Sequence, residues 1–466
     1  MKDFFSVSVS VFSRRATNAG LFLSVVVALA VTMVNHAAGA AGIKSTATSP
    51  GAGHAAPGVK FTTLHEFLGS PADGAQPASA LISDSAGNLY GTTQNGGLYG
   101  EDLSGIIYKL SPTGVETILF NFDYDPNGAG PIGNLLLDSG GNLYGTANLG
   151  GAYSQGDVFE FTTSGVLNVL HSFQLIGPKG ASPFGAVLRD SKDNLYGTTS
   201  AGGYIDCVAA GVSASCGVIY KLQPSGRETV LHSFTGGSDG GIPVAGLAAD
   251  DTGSFYGTTS AGGGNGCSPG MGEVGGGCGT VFKIQRDGTE TVLYAFTGGI
   301  DGGQPEGTLV LDSEGNLYGT TRFGGNPNCS VFGASLAGCG VVFKVTPAGK
   351  ETVLHSFTGQ PDGEVPTSLT GLVRDGSGNL YGTTSIGGDI NYCNGYGCGT
   401  IFRVSPKGKF EVLYSFTGGS DGADPYAGLS TDGKGNFYGT AASGGLTNGS
   451  CPSFGCGVAF KLQVND

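Results

Sequence analysis

The chain of 466 residues has no Trp, three Met, and only 12 % Asp, Glu, Lys and Arg. So few long charged side chains argue against extended amphipathic helices, which need a charged face opposite an apolar stripe. Basic residues are scarce and do not cluster, and the net charge is −14. This excludes the basic face of a nucleic-acid binder and fits an acidic soluble protein. No apolar run reaches the roughly 20 residues of a membrane-spanning helix. Nucleophile elbows, zinc motifs and phosphate-binding loops are also missing.

What is there begins with a leader. Arg14-Arg15 precede an apolar run from Gly20 to Val34, and a small-residue site follows at Ala38–Ala40. That order predicts a secretory signal peptide over residues 1–40, cleaved near Ala40, with an uncleaved anchor as the alternative. The mature chain is then expected to be secreted, extracellular or periplasmic, with no transmembrane segment. Residues 41–58 are small and polar and read as a disordered linker, His54 included.

Glycine is abundant, at 89 residues, and it recurs in fixed contexts. The triplet Tyr-Gly-Thr appears at Tyr90, Tyr144, Tyr196, Tyr256, Tyr318, Tyr381 and Tyr438, 52 to 63 residues apart. Around each lie four short segments rich in Val, Leu, Ile, Phe and Tyr, separated by Gly, Asp, Asn and Pro; these read as strands A to D. An aspartate opens every A–B turn (Asp84, Asp138, Asp190, Asp250, Asp312, Asp375, Asp432). Glycine closes the C–D hairpins, where a positive φ is needed. Self-similarity of this length predicts an all-β fold, a seven-bladed β-propeller of four-stranded antiparallel blades over residues 59–466. The last copy stops after strand C, and the missing D strand stands at the front as residues 59–67. Closure by that leading strand is therefore expected, because it removes an unpaired edge at each end.

Units such as Gly378-Asn379-Leu380-Tyr381-Gly382-Thr383-Thr384 and Val353-Leu354-His355-Ser356-Phe357-Thr358-Gly359 resemble the GloVer-type tandem repeat of secreted bacterial proteins. The resemblance covers residues 59–463. It implies a propeller-like, export-associated repeat with no defined activity.

Ten cysteines fall two per blade in five consecutive blades: Cys207/Cys216, Cys267/Cys278, Cys329/Cys339, Cys393/Cys398 and Cys451/Cys456. Each pair lies in one B–C loop, so five local disulfides are expected, in an oxidising compartment. No histidine lies near them, which argues against zinc.

The D–A and B–C loops should share one face, and their length and variability make it the expected binding face. Asp73, Asp239, Asp301, Asp362 and Asp421 recur in the D–A loops as Asp-Gly before a proline. Two readings fit them: a turn built by the side chain, or a ring of carboxylates able to bind calcium. His65, His171, His232 and His355 share one position of strand D with Phe120, Tyr294 and Tyr414, which marks it as packing. Departures from the repeat, where an asymmetric catalytic group would sit, are Asp206, Glu273, Arg322, Asp389 and Tyr392 in B–C loops and Glu364 in a D–A loop. The expectation is a monomeric, non-catalytic scaffold binding a protein or glycan. A polysaccharide hydrolase or lyase using paired off-consensus carboxylates is the alternative.

Overall fold

A computed structural model describes residues 53–100, 103–175, 178–203, 215–264, 267, 277–329, 338–366, 370–447, 450–451 and 453–465. The expected signal peptide and most of the linker lie outside these residues. No helix among the described residues is long and apolar enough to cross a membrane.

Seven antiparallel blade sheets follow one another around the described residues, and a two-stranded ribbon pairs Gly180–Ala181 with Ala201–Gly202. Blade 4 shows the plan: A at Ala248–Ala249, B at Phe255–Thr259, C at Thr280–Ile284 and D at Glu290–Ala295. Strand C runs apolar on both faces, as in Thr280-Val281-Phe282-Lys283-Ile284, because its alternate side chains enter different neighbours. Val281 joins the cluster shared with blade 5, whereas Phe282 and Ile284 join the one shared with blade 3. Seven such clusters occupy the seven seams, including one between blades 7 and 1.

The ends meet as expected. Val59–Glu66 pairs antiparallel with Val458–Val464, from Val59 opposite Val464 to Glu66 opposite Val458, and so becomes strand D of blade 7. Its Phe61 stacks on Tyr414 of blade 6, and Phe67 meets Tyr108 of blade 1 edge-on. Within the segment read as linker, His54 and Ala55 form a short strand against Tyr414 and Ser415.

The three residues of Tyr-Gly-Thr make different contacts. The tyrosine hydroxyl donates to the A–B turn aspartate, as from Tyr90 to Asp84 at 3.0 Å and from Tyr318 to Asp312 at 2.9 Å. The glycine leaves room for the strand C aromatic paired opposite it; a Cβ on Gly319 would lie 2.6 Å from the Phe343 ring. In four blades the threonine reaches the next blade, with Thr198 donating to the Ala245 carbonyl at 2.6 Å and Thr440 to that of Ser79 at 3.1 Å, whereas the Thr92 and Thr383 hydroxyls are buried without a partner. The second of these bonds crosses the closure.

A further contact was not anticipated. The residue before the proline that leads into strand A has a φ between 54° and 59° in every blade: Gln76, Gly130, Ser182, Ile242, Gln304, Val365 and Asp424. Side chains rarely adopt that region, β-branched ones least of all. In five blades its N–H donates to the second cysteine of the preceding blade, for example Ile242 to Cys216 at 2.8 Å and Gln76 to Cys456 at 2.8 Å. In blades 2 and 3 the acceptors are Leu103 and Gln155. The adjoining proline presses on a glycine of that same loop. A Cβ on Gly217 would sit 2.8 Å from Pro243 Cδ, and one on Gly457 would sit 2.5 Å from Pro77 Cδ. This x-Pro clasp joins each blade to its predecessor, blade 1 to blade 7 included.

Candidate functional site

The two faces differ in chemistry. On the A–B side the aspartates are consumed by their own turns. Asp84 Oδ1 accepts from the backbone of Ala86 and Asn88 at 2.9 Å, and Oδ2 accepts from the Asn88 amide at 2.7 Å. Burial by itself would raise that carboxyl, but these bonds outweigh it and hold it below its usual range; Asp190 is drawn down to about 2 in the same way. Between blades 2 and 3 this side has an open depression lined by Leu136, Asp138, Arg189 and Asp190, in which Arg189 pairs with Asp138 at 3.0 Å.

The opposite face carries the D–A and B–C loops. Eleven of the fourteen exposed large apolar side chains among the described residues are here: Leu68, Leu98, Tyr99, Tyr124, Tyr153, Leu175, Ile300, Ile390, Tyr396, Leu446 and Phe454. Five are aromatic. The loops are braced by disulfides Cys267–Cys278, Cys329–Cys339, Cys393–Cys398 and Cys451–Cys456, with Cα separations of 5.2 to 5.6 Å. Cys216 is also disulfide-bonded; Cys207 lies outside the described residues.

Asp73, Asp239, Asp301, Asp362 and Asp421 all stand at the outer end of the D–A loops, against strand D rather than the inner strand A. Each takes donors from its own loop. Asp421 accepts from Thr417 N–H at 2.8 Å, Thr417 Oγ1 at 2.7 Å and the Tyr414 hydroxyl at 3.1 Å. Asp301 and Asp362 repeat the pattern with Thr297 and Thr358. Asp239 uses Thr235, and Asp73 accepts from Leu68 N–H at 3.0 Å. Strand D supplies the outer partner: His355 Nε2 lies 2.8 Å from Asp362, His65 Nε2 3.0 Å from Asp73, His232 Nε2 3.4 Å from Asp239, and Tyr294 hydroxyl 2.9 Å from Asp301.

The rings at this strand D position pack alike whatever their chemistry. His65, Phe120, His171, His232, Tyr294, His355 and Tyr414 each stand edge-on to the Phe two residues later, at 4.8 to 5.2 Å. The expectation of a packing role holds, with a polar tip added where the residue is His or Tyr. At several seams a glutamate from the next strand D approaches that tip: Glu116 near His65, Glu228 near His171 at 3.3 Å, Glu290 near His232. Burial pushes Glu116 up to about 9, with Asp73 adding to the effect, and burial with Asp301 pushes Glu351 up to about 7.

The off-consensus residues do not converge. Asp389 meets His54 at 3.4 Å, Glu364 sits 3.7 Å from the sulfur of Cys339, Arg322 pairs with Glu306 at 3.4 Å, and Tyr392 packs in the seam between blades 6 and 7. Asp206 and Glu273 lie outside the described residues. A polar sector not evident from the loops lies beside strand A. Glu306 follows the clasp proline of blade 5 and Tyr426 that of blade 7, positions held elsewhere by Ala78, Ile132, Phe184, Val244 and Thr367. Burial raises the Tyr426 hydroxyl, and Glu306 and Asp424 raise it further while Arg322 opposes them. Asp424 is lifted to about 6 by burial, partly offset by Ser385. The polar substitution at the post-proline position was the available signal.

No curated protein matches the chain in sequence. Solved structures similar in fold include a luciferin-regenerating enzyme at 13 % identity, covering 87 % of this chain and 95 % of that one, with a TM-score of 0.41. The PQQ-bound aldose sugar dehydrogenase of Streptomyces coelicolor gives 13 %, 89 %, 100 % and 0.42. Puromycin hydrolase gives 12 %, 78 %, 50 % and 0.48. These likenesses concern architecture and carry no activity across. The Gloeobacter/Verrucomicrobia repeat matches residues 52–271 and again 270–466, so nearly all of the seven-bladed ring is made of it, and the chain belongs to that repeat family.

Proposed function

We propose that this protein is an exported, monomeric, non-catalytic scaffold that engages a protein or glycan partner through its D–A and B–C loop face. The observation that carries the reading is the segregation of exposed apolar side chains, with Tyr99, Tyr124, Tyr153, Tyr396 and Phe454 all on that face. Aromatic rings with few charges around them offer large, rigid contact area at low entropic cost and suit both sugar rings and protein surfaces. Disulfide bracing supports the same reading, because a preorganised loop loses less freedom on binding. It also fits residence outside the cytoplasm, after removal of residues 1–40. A glycan array probed with the mature protein, beside a Tyr99→Ser/Tyr153→Ser variant, tests the proposal. Binding lost in the variant with an unchanged melting temperature supports it. Release of reducing or unsaturated sugar from a polysaccharide panel refutes the non-catalytic part.

The enzyme reading has one observation in its favour, the Glu306, Arg322, Asp424 and Tyr426 sector. A carboxyl held near 6, a phenol and a guanidinium in one region are the components of acid–base chemistry on a sugar. If polysaccharide degradation is detected, Asp424→Asn should abolish it. Calcium held by Asp239, Asp301, Asp362 and Asp421 is disfavoured, because each already accepts both the N–H and the hydroxyl of a threonine four residues earlier.

A further inference from the structure

The seam that closes the ring differs from the others. His65 comes from the N-terminal strand, Asp73 from the loop that follows it, and Glu116 from the start of strand D in blade 1. Their ligand atoms, one from each residue, all lie within 4.8 Å of one another. His65 Nε2 is 3.0 Å from Asp73 Oδ2 and 3.7 Å from Glu116 Oε2. These separations bracket the edge of about 3.4 Å expected for a tetrahedron with metal–ligand bonds of about 2.1 Å. The second oxygen of Glu116 is buried and has no hydrogen-bond partner. Asp73 and Glu116 thus face each other with one imidazole between them and no Lys or Arg paired to either among the described residues, so both can be ionised there together only beside a cation.

We propose that His65, Asp73 and Glu116 bind a divalent transition-metal ion that fastens the N-terminal strand to blade 1. One imidazole and two carboxylates neutralise a dication, and a fourth position remains for water. The imidazole selects a borderline ion such as Zn2+ over Ca2+ or Mg2+, which take oxygen ligands. The other seams supply a comparison. Blade 1 offers Phe120 where His65 stands, blades 4 and 6 offer Tyr294 and Tyr414, and Glu116 is replaced by Leu167 in blade 2 and Phe410 in blade 6. His232, Asp239 and Glu290 repeat the three residue types between blades 3 and 4, but they do not form so tight a group. The remaining tight group, Cys329, Cys339 and Glu364, has both sulfurs committed to a disulfide.

The test is calorimetric titration of the chelator-treated mature protein with Zn2+ and, separately, Ca2+, with thermal melts at each metal concentration. One Zn2+ per chain, no comparable Ca2+ binding, and a saturable rise in melting temperature are expected. His65→Phe and Glu116→Leu place residues that the ring already accepts at the matching positions, so both variants should fold. Each should weaken Zn2+ binding by about 100-fold or more and remove the metal-dependent rise. His232→Phe should leave both intact. The proposal is overturned if the wild type shows no saturable Zn2+ binding, if the His65→Phe/Glu116→Leu double variant binds equally well, or if Ca2+ binds more tightly.

Discussion

Blades 3 to 7 tie their B–C loops with cystine, and blades 1 and 2 have none, yet all seven loops make the same contact with the blade that follows. Ile242 of blade 4 donates to Cys216 and Ser182 of blade 3 donates to Gln155, at 2.8 and 2.9 Å. The glycine after the acceptor meets the next proline in both classes: Gly156 against Pro183, Gly279 against Pro305. Disulfides therefore serve the longer loops and not the blade contact itself. The blade 2 loop runs from Asn148 to Gly156, whereas the blade 5 loop runs from Arg322 to Gly340.

The comparison breaks most plainly at the closure. If cystine were what held the ring, blade 7, with Cys451–Cys456 intact, would tolerate loss of its borrowed strand. Deleting residues 59–67 should instead remove the packing of Phe61 and Phe67, each worth about 3–5 kcal/mol when truncated, and abolish a single cooperative melt. Calorimetry of the truncated protein reads this directly.

Next in size is the clasp glycine. Gly105→Ala in a cysteine-free blade and Gly340→Ala in a tied one both force a Cβ against backbone, 2.1 Å from the Thr93 carbonyl and 2.3 Å from that of Thr321. Each should cost about 3 kcal/mol or more in denaturant unfolding. A much smaller loss at Gly340 would show that the disulfide shares the work.

Removing one disulfide, as Cys393→Ser/Cys398→Ser, should cost about 2 kcal/mol, since the closed loop is short. Hydrogen exchange should rise in the blade 6 loop and stay unchanged in blades 1 and 2.

A pH-dependent effect distinguishes blade 2. Its strand C opens with Asp157, fully buried, where blades 4 and 6 have Thr280 and Thr400. Burial lifts this carboxyl from 3.8 to about 6, with Ser172 and His171 giving partial relief and Asp125 opposing them. A raised folded-state value means that the folded chain holds a proton the unfolded chain has released. The associated stability is complete below about pH 3.8 and is lost as pH rises to about 6. The melting temperature should fall by a few degrees across that window. Asp157→Thr should flatten the profile.

Strands and blade number were legible in the sequence because each unit is written seven times, and closure because the one strand missing from the last copy stands at the front. The His, Phe and Tyr position was read as packing for that reason, and the edge-on pairs bear it out. The clasp was not legible. Gln76, Gly130, Ser182, Ile242, Gln304, Val365 and Asp424 share no side-chain chemistry, and their common property is a backbone angle. Nor was the approach of Glu116 to His65 and Asp73, since it joins residues some fifty apart through blade packing that no local pattern encodes. The polar residues Glu306 and Tyr426 stood at aligned positions of the D–A segments, but their approach to Arg322 and Asp424 is made by blade packing.

The x-Pro clasp also gives the ring a direction in time. Every blade from 2 to 7 receives its carbonyl acceptor from a loop already synthesised, but Gln76 waits for Cys456, and Pro77 waits for Gly457. Blade 1, first off the ribosome, is thus the last to be secured. A chain stalled before Cys456 and Gly457 leaves an unsealed gap beside its oldest sheet.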